Sequence, residues 1–456
     1  MQELKYLFNP RSIAIIGASS KPGKIGHECL KSLMRSGYEG CVYPINPNSD
    51  KILGLISYPD ISAVPDEVDL VIYALPAENS VEIFQNFKKK NVKAVIIISG
   101  GFREFSQDGV QIEEKVLEIA RQSGIRIIGP NCVGVYDSYS KVDSLFQSHE
   151  RLPRPRKGGI SMISQSGTFA VSFMDWASEE GVGVSKIVSI GNRADVDEAD
   201  LINYLRQDRS TSVIALYVES FTDGRKLLKA IKECGKPIVI YLASKTNKGA
   251  LVAKSHTGRM ASDYRIAVSA LSSAGAILTQ TFQQFYDVTK AISLLGRATG
   301  DRVMMVANGV GPSVAAADLL EENGLRLASL NKETLALLRS SLPRYAIINN
   351  PLDLTGSATT DDFITSIKVL DSSPDLDLIV LFVVFQDTPL GDDFAERLVR
   401  TKWKKPMLVF AAGGRYTRNK CHFLVSNGIP CFQSVENLVS SISALLRRPC
   451  LLFNLY

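Results

Sequence analysis

The chain has 456 residues, 45% of them apolar and 22% charged, with a formal net charge of +5. That length exceeds one compact core and predicts two or three domains of ordinary globular composition. The mild charge, with no Lys/Arg cluster interleaved with aromatics, disfavours a nucleic-acid groove and suits anionic small ligands. Seven cysteines without a C-x-x-C pair argue for a reducing cytosol and against a structural zinc or disulfide framework. Neither "MQELKYLFNP" at the start nor any later run has the apolar length of a signal core or a membrane span. A soluble cytoplasmic protein is expected.

Short Val- and Ile-rich runs alternate with amphipathic stretches along the whole chain. They include "SIAIIGA", "DLVIYALP", "KAVIIIS", "IRIIGP", "GISMIS", "SVIALYVES", "KPIVIYLA", "DRVMMVAN", "LDLIVLFVV" and "KPMLVFAAG". Runs of this kind are strands buried on both faces, and their alternation with helices predicts parallel sheets of the α/β class. The basic, proline-bearing "RLPRPRKGG" (151–159) reads as a linker, and "GRATGD" (296–301) as a second break. The expected units are 1–150, 151–297 and 298–456.

In the first unit, "IAIIGASSKPGKIGHECLKSLM" is a strand, a glycine-bearing turn and a helix. Gly17, Gly23 and Gly26 allow a pyrophosphate to approach the backbone at a helix N-terminus, where free N–H groups and the helix dipole favour anions, and Lys24 adds charge. An NAD site calls for an acid about 20 residues further on. Here the second strand, "CVYPINPN", ends in Asn46-Pro47-Asn48, which favours another adenine nucleotide. The turns at 74–80, 99–102 and 129–134 follow strands and are candidate ligand loops. Cys132 lacks a neighbouring histidine and is disfavoured as a nucleophile.

In the second unit, Ser164-Gln165-Ser166-Gly167-Thr168 follows a strand and opens a helix, a second anion cradle. Asp195, Asp197 and Glu198 suit a helix's first turn. Glu219 closes the strand "VIALYVES" and is placed to accept from one imidazole nitrogen, leaving the other free to attack. His256 is one of four histidines and sits in the small-residue loop "LVAKSHTGRM". A lone histidine is more often structural. An anion cradle and a carboxylate in the same unit point instead to an imidazole that takes a phosphoryl group.

The stretches "SIAIIGASSKPGKIG", "VYPINPN", "GPNCVGV", "SQSGTF", "GNRADVDEADLINYL", "YVESFTDGR", "SHTG" and "NPLDLTG" together resemble, in order, the alpha subunit or N-terminal half of the NDP-forming acyl-CoA synthetases. ADP-forming acetate–CoA ligase is the type, and succinyl-CoA synthetase is a relative. The resemblance implies an N-terminal Rossmann-like CoA-binding domain followed by two flavodoxin-like ligase domains. It implies cleavage of an acyl-CoA by phosphate, transfer of the phosphoryl group from the acyl phosphate to His256, and then to ADP. Glu219 would orient the imidazole, and Ser164, Gln165, Ser166, Gly167 and Thr168 would hold phosphate. Gly17, Ala18, Ser19, Lys24, Gly26, Asn46, Pro76, Gly100, Gly101 and Asn131 would meet CoA, and no residue would bind a metal. No ATP-grasp module follows in this sequence, so an ATP-grasp beta-type partner subunit would bind ADP/ATP with Mg2+ in a hetero-oligomer. A non-catalytic CoA or acyl-CoA sensor on the same fold is the alternative.

Overall fold

The computed structural model describes residues 4–246, 248, 249, 251 and 263–446. His256 lies outside the described residues. All ten apolar runs named above coincide with strands. The chain divides into two compact units, one of Met1–Ser178 with Gly183–Ala276, the other of Glu179–Val182 with Ile277–Tyr456.

The first unit holds two sheets. Strands β1 (Ser12–Ile16), β2 (Cys41–Ile45), β5 (Leu70–Tyr73), β6 (Ala94–Ile97) and β7 (Arg126–Ile128) form a parallel sheet in the order β2-β1-β5-β6-β7. β3 (Lys51–Ile52) and β4 (Leu55–Ile56) pair as a separate hairpin. Every residue of β1, β5 and β6 is buried, which explains their unbroken apolar sequence. β1 is flanked by β2 on one side and β5 on the other. The connections therefore diverge there, and a crevice opens at the carboxyl end of β1.

In the second sheet, strands β8 (Val135–Asp137), β9 (Lys157–Ser164), β10 (Val184–Ser189), β11 (Val213–Val218) and β12 (Ile238–Leu242) run in the order β12-β11-β9-β10-β8. All pair in parallel except β8 with β10. The same logic places a switch point at the carboxyl end of β9, between β10 and β11. In the second unit, β14 (Arg302–Ala307), β15 (Arg326–Leu327), β17 (Leu378–Phe382), β18 (Met407–Phe410) and β19 (Cys431–Phe432) run in parallel in the order β15-β14-β17-β18-β19. β16 (Leu352–Asp353) also pairs with β14, and β13 (Ile277–Thr279) opens the unit.

One expectation is corrected. The 151–159 stretch is not a free linker. Lys157–Gly159 already belong to β9, and Arg154 is a buried brace, donating to Asp143 Oδ2 at 2.7 Å. β10 was hidden because Lys186 interrupts its apolar run. That lysine is buried against Asp137 at 3.3 Å and Asp208 at 2.8 Å, partners distant in sequence. Cys421 and Cys431 stand side by side, with their Cα atoms 5.4 Å apart. Among the described residues no helix is long and apolar enough to cross a membrane.

Candidate active site

The first glycine turn opens exactly where β1 ends, at the crevice. Gly17 has φ +86°, a left-handed value, and a Cβ there would meet Leu75 Cδ2 at 2.9 Å. A Cβ on Gly26 would stand 2.0 Å from the Gly17 carbonyl oxygen. The helix Ile25–Arg35 can therefore start against the turn only with glycine at 26. Asn46 does more than withhold an acid. Its Nδ2 donates to the Ala18 carbonyl at 2.8 Å and its Oδ1 accepts from Asn48 N at 2.8 Å, so it braces the turn from the second strand. The result is a cleft of about 880 Å³ lined by Gly17, Ala18, Ser19, Lys24, Gly26 and Asn46 among others. Six of the ten residues expected to meet CoA thus share one cavity.

Pro76, Gly100, Gly101 and Asn131 do not line that cleft. They sit on the neighbouring strand-end turns, which are tied together internally. Tyr73 donates its hydroxyl to the Pro76 carbonyl at 2.9 Å. Glu104 Oε1 accepts from Gly101 N at 2.7 Å and Phe102 N at 3.3 Å, occupying N–H groups that a ligand would otherwise find open. Asn131, at φ +58°, donates its backbone N–H to the Ser99 carbonyl at 3.0 Å. Beside it Cys132 is buried and points its thiol at the Ile97 carbonyl. Burial pushes that thiol up to about 12, so no thiolate forms at neutral pH.

At the second switch point Ser164 ends β9 and the helix Gly167–Glu179 begins. Gln165 was expected to touch phosphate, but every polar atom of its side chain is engaged within the protein. Oε1 accepts from Glu219 N at 2.8 Å and Ser220 N at 3.2 Å, while Nε2 donates to the Ser220 carbonyl at 2.8 Å and to Glu198. Ser164 likewise spends its hydroxyl on the Ser166 carbonyl at 2.6 Å. Ser166, Gly167 and Thr168 are half-buried or exposed at the start of the helix. A helix N-terminus leaves its first N–H groups without carbonyl partners, an anion-binding arrangement.

Glu219 follows β11 directly, and its backbone is fixed by the Gln165 contact. Below it lies a buried network. Arg193 Nη1 donates to Glu198 Oε1 at 2.6 Å and to the Ser220 carbonyl at 2.8 Å, and Nη2 donates to Ser220 Oγ at 2.8 Å. Glu198 begins a helix capped by Asp197, whose side chain accepts from Asp200 N in a full capping box. Tyr217 stands two residues before Glu219, on the same face of the strand. Burial, the Glu219 charge and a hydrogen bond to Glu219 raise the Tyr217 phenol above its ordinary range. Phe169, in the first turn of the cradle helix, stacks on Tyr217 with ring centroids 4.0 Å apart. The carboxylate and the helix N-terminus are thereby held side by side.

Two family models match the chain, a CoA binding domain over residues 11–138 and a succinyl-CoA ligase like flavodoxin domain over residues 157–292. The alpha subunit of ADP-forming acetate–CoA ligase I from Pyrococcus furiosus is 35% identical over 456 residues, covering 97% of this chain and 97% of that one. The chain belongs to the NDP-forming acyl-CoA synthetases. Other members extend beyond it. The ADP-forming acetate–CoA ligase of Methanocaldococcus jannaschii is 34% identical over 98% of this chain but only 63% of its own length. A solved synthetase of the family, acetyl-coenzyme A synthetase 1 of Ca. Korarchaeum cryptofilum in complex with phosphate and ADP, superposes with a TM-score of 0.91. It is 31% identical over 98% of this chain and 96% of that one.

Within this synthetase fold the histidines other than His256 are already committed. His27 Nδ1 meets the Ser19 carbonyl at 2.8 Å, His149 Nε2 meets Asp143 at 3.0 Å, and His422 Nδ1 meets the Glu179 carbonyl at 2.9 Å. Sequence reasoning missed Arg193, Ser220, Tyr217 and Glu104. Only Tyr217 carried a local signal, the two-residue strand spacing to Glu219. Arg193 and Ser220 meet each other 27 positions apart, and Glu104 also accepts from Asn192, 88 positions away, pairings that no short motif displays.

Proposed function

We propose that this chain is the alpha-type subunit of an ADP-forming acyl-CoA synthetase, which converts acyl-CoA, phosphate and ADP reversibly into acid, CoA and ATP. A phosphate oxygen attacks the thioester carbonyl, the C–S bond breaks, and CoA leaves as the thiolate. A His256 nitrogen then attacks phosphorus in the acyl phosphate, and the carboxylate departs. The phosphohistidine passes its phosphoryl group to ADP with Mg2+ on a nucleotide-binding partner of the ATP-grasp type. The relative from Pyrococcus furiosus is itself named a subunit alpha, which supports a partner. The three-part division 1–150, 151–297 and 298–456 belongs to the same reading.

One observation carries the proposal. The Gln165 side chain, in the loop that opens the cradle helix, holds the backbone of Glu219 at 2.8 Å. A carboxylate for an imidazolium and a cradle for a phosphate dianion are thus built as one piece. In this reading Ser166, Gly167 and Thr168 face the phosphate, with Ser164 and Gln165 shaping the cradle from beneath. Gly17, Ala18, Ser19, Lys24, Gly26 and Asn46 receive CoA, and Pro76, Gly100, Gly101 and Asn131 border its path.

The test is by product. Acetyl-CoA, phosphate and ADP should yield ATP when the chain is combined with a nucleotide-binding partner of the family, and only background ATP with the chain alone. Vigorous ATP formation by the rigorously purified single chain would remove the partner from the account. CoA binding with no phosphate-dependent thioester cleavage in the complete system would favour a sensor.

A further inference from the structure

Glu104 joins the two sheets of the first unit at their carboxyl ends. It follows the turn after β6, and its Oε1 accepts from Gly101 N at 2.7 Å and Phe102 N at 3.3 Å. Ser99 of the same turn donates its hydroxyl at 2.6 Å to the carbonyl of Leu75, a residue that lines the CoA cleft. The second carboxylate oxygen of Glu104, Oε2, accepts from Asn192 Nδ2, in the turn that follows β10 of the second sheet. One half-buried carboxylate thus ties a turn on the CoA side to a turn on the phosphate side.

The turn around Asn192 is held in a conformation that side chains disfavour. Gly191 has φ +51° and Arg193 has φ +54°, and only the first is a glycine. A Cβ on Gly191 would stand 2.1 Å from the Pro130 carbonyl oxygen, to which Asn192 N donates at 2.9 Å. A residue as large as arginine stays left-handed only where its surroundings fix it. Here Asn192 is bonded to Glu104, and Arg193 is bonded to Glu198 and Ser220. Both residues of the turn are buried. Ser220 adjoins Glu219 in the chain, and the two N–H groups share Gln165 Oε1. The path from Glu104 to Glu219 therefore runs through Asn192, Arg193 and Ser220, and every step in it is a hydrogen bond or a peptide bond.

On the proposed function, on which this inference rests, Glu219 has to meet the His256 imidazole in one orientation. We infer that Glu104 is a positioning residue for the phosphoryl transfer. It fixes the Asn192–Arg193 turn, and through that turn the strand end that carries Glu219. It acts through Asn192, not on the substrate.

The experiment is single-turnover labelling of the full chain from radiolabelled acetyl phosphate and butyryl phosphate, which separates transfer to His256 from thioester cleavage. CoA affinity is measured beside it by calorimetry. Glu104→Gln keeps an oxygen for the Gly101 and Phe102 N–H groups but turns an NH2 toward Asn192 Nδ2, donor against donor. Labelling should slow by roughly 10- to 100-fold, the value of one hydrogen bond to a charged group. CoA affinity should be unchanged, because the turn keeps its acceptor. Asn192→Asp alone sets two carboxylates face to face and should slow labelling as well. Glu104→Gln combined with Asn192→Asp restores the pair with donor and acceptor exchanged, and most of the rate should return. If Glu104→Gln fails to fold, Asn192→Ala removes the same donor and should show the same slowing. Parental labelling in Glu104→Gln, or in Asn192→Ala where that variant stands in for it, would overturn the inference. So would a double variant no faster than the two single ones, or a loss of CoA affinity in step with the loss of labelling, since Glu104 would then support only the fold or the CoA turn. An unaltered chain that takes label from neither acyl phosphate would remove the ligase reading, and this inference with it.

Discussion

Replacing His256 with asparagine should bring acyl-CoA-linked ATP synthesis with the partner down to background. Asparagine matches histidine roughly in size, but its amide nitrogen is not a nucleophile and holds no stable phosphoryl group. No other histidine stands ready to substitute. His27 and His149 are buried or half-buried and bonded to Ser19 and Asp143, and His422 belongs to the second unit, where it is bonded to Glu179. The variant should still bind CoA, because the cleft of about 880 Å³ is built from the first sheet. Slow release of acyl phosphate should also survive, since phosphate attacks the thioester before the histidine acts. ATP synthesis by His256→Asn at the rate of the unaltered chain would exclude the histidine from the path.

Glu219→Gln should lower turnover on the order of 10²–10³, the usual loss when a preorganised electrostatic partner is removed from a reaction site. The substitution keeps the shape. It leaves the backbone N–H that donates to Gln165, so the strand end stays in place. What it removes is the charge that, in the proposed mechanism, stabilises the imidazolium side of the transfer. Tyr217→Phe is the control, because it removes the hydroxyl bonded to Glu219 but leaves the carboxylate and the ring that stacks on Phe169. Its effect should be much smaller, within about tenfold, the cost of one hydrogen bond of about 1 kcal/mol. Stopped-flow and steady-state rates on the two variants decide the matter. Parental turnover in Glu219→Gln would reduce the residue to a structural part.

The strands were legible because parallel strands buried on both faces have no room for polar residues. "SIAIIGA" and "KAVIIIS" announce themselves, and β1 and β6 fall on them. β10 did not, because Lys186 enters the sheet with Asp137 and Asp208 as counter-charges, and a pairing across sequence is invisible to periodicity. The same blindness turned Arg154 into a linker charge. Its partner Asp143 is eleven residues away and fully buried. Glu219 and the Ser166–Thr168 turn could be proposed as site residues from sequence because the carboxyl ends of strands in open α/β sheets face a ligand crevice. The role of Gln165 was not legible. The resemblance placed it among the phosphate-holding residues, and its side-chain contacts to Glu219, Ser220 and Glu198 make it the joint between two strand ends. Glu104 shows the converse at the 99–102 turn, a candidate ligand loop by its place after a strand, where its carboxylate already accepts from the Gly101 and Phe102 N–H groups.

The central claim is a phosphoryl group carried on one nitrogen of this chain, and its linkage can be read directly. Radiolabelled phosphate supplied with acetyl-CoA should label the unaltered chain at a single site, and the label should be lost in acid and survive mild base, as a nitrogen-bound phosphate does. Peptide mapping should put it on the fragment containing Ser255-His256-Thr257-Gly258. A label that is stable in acid, or that maps to His27, His149, His422 or a hydroxyl residue, would contradict the account.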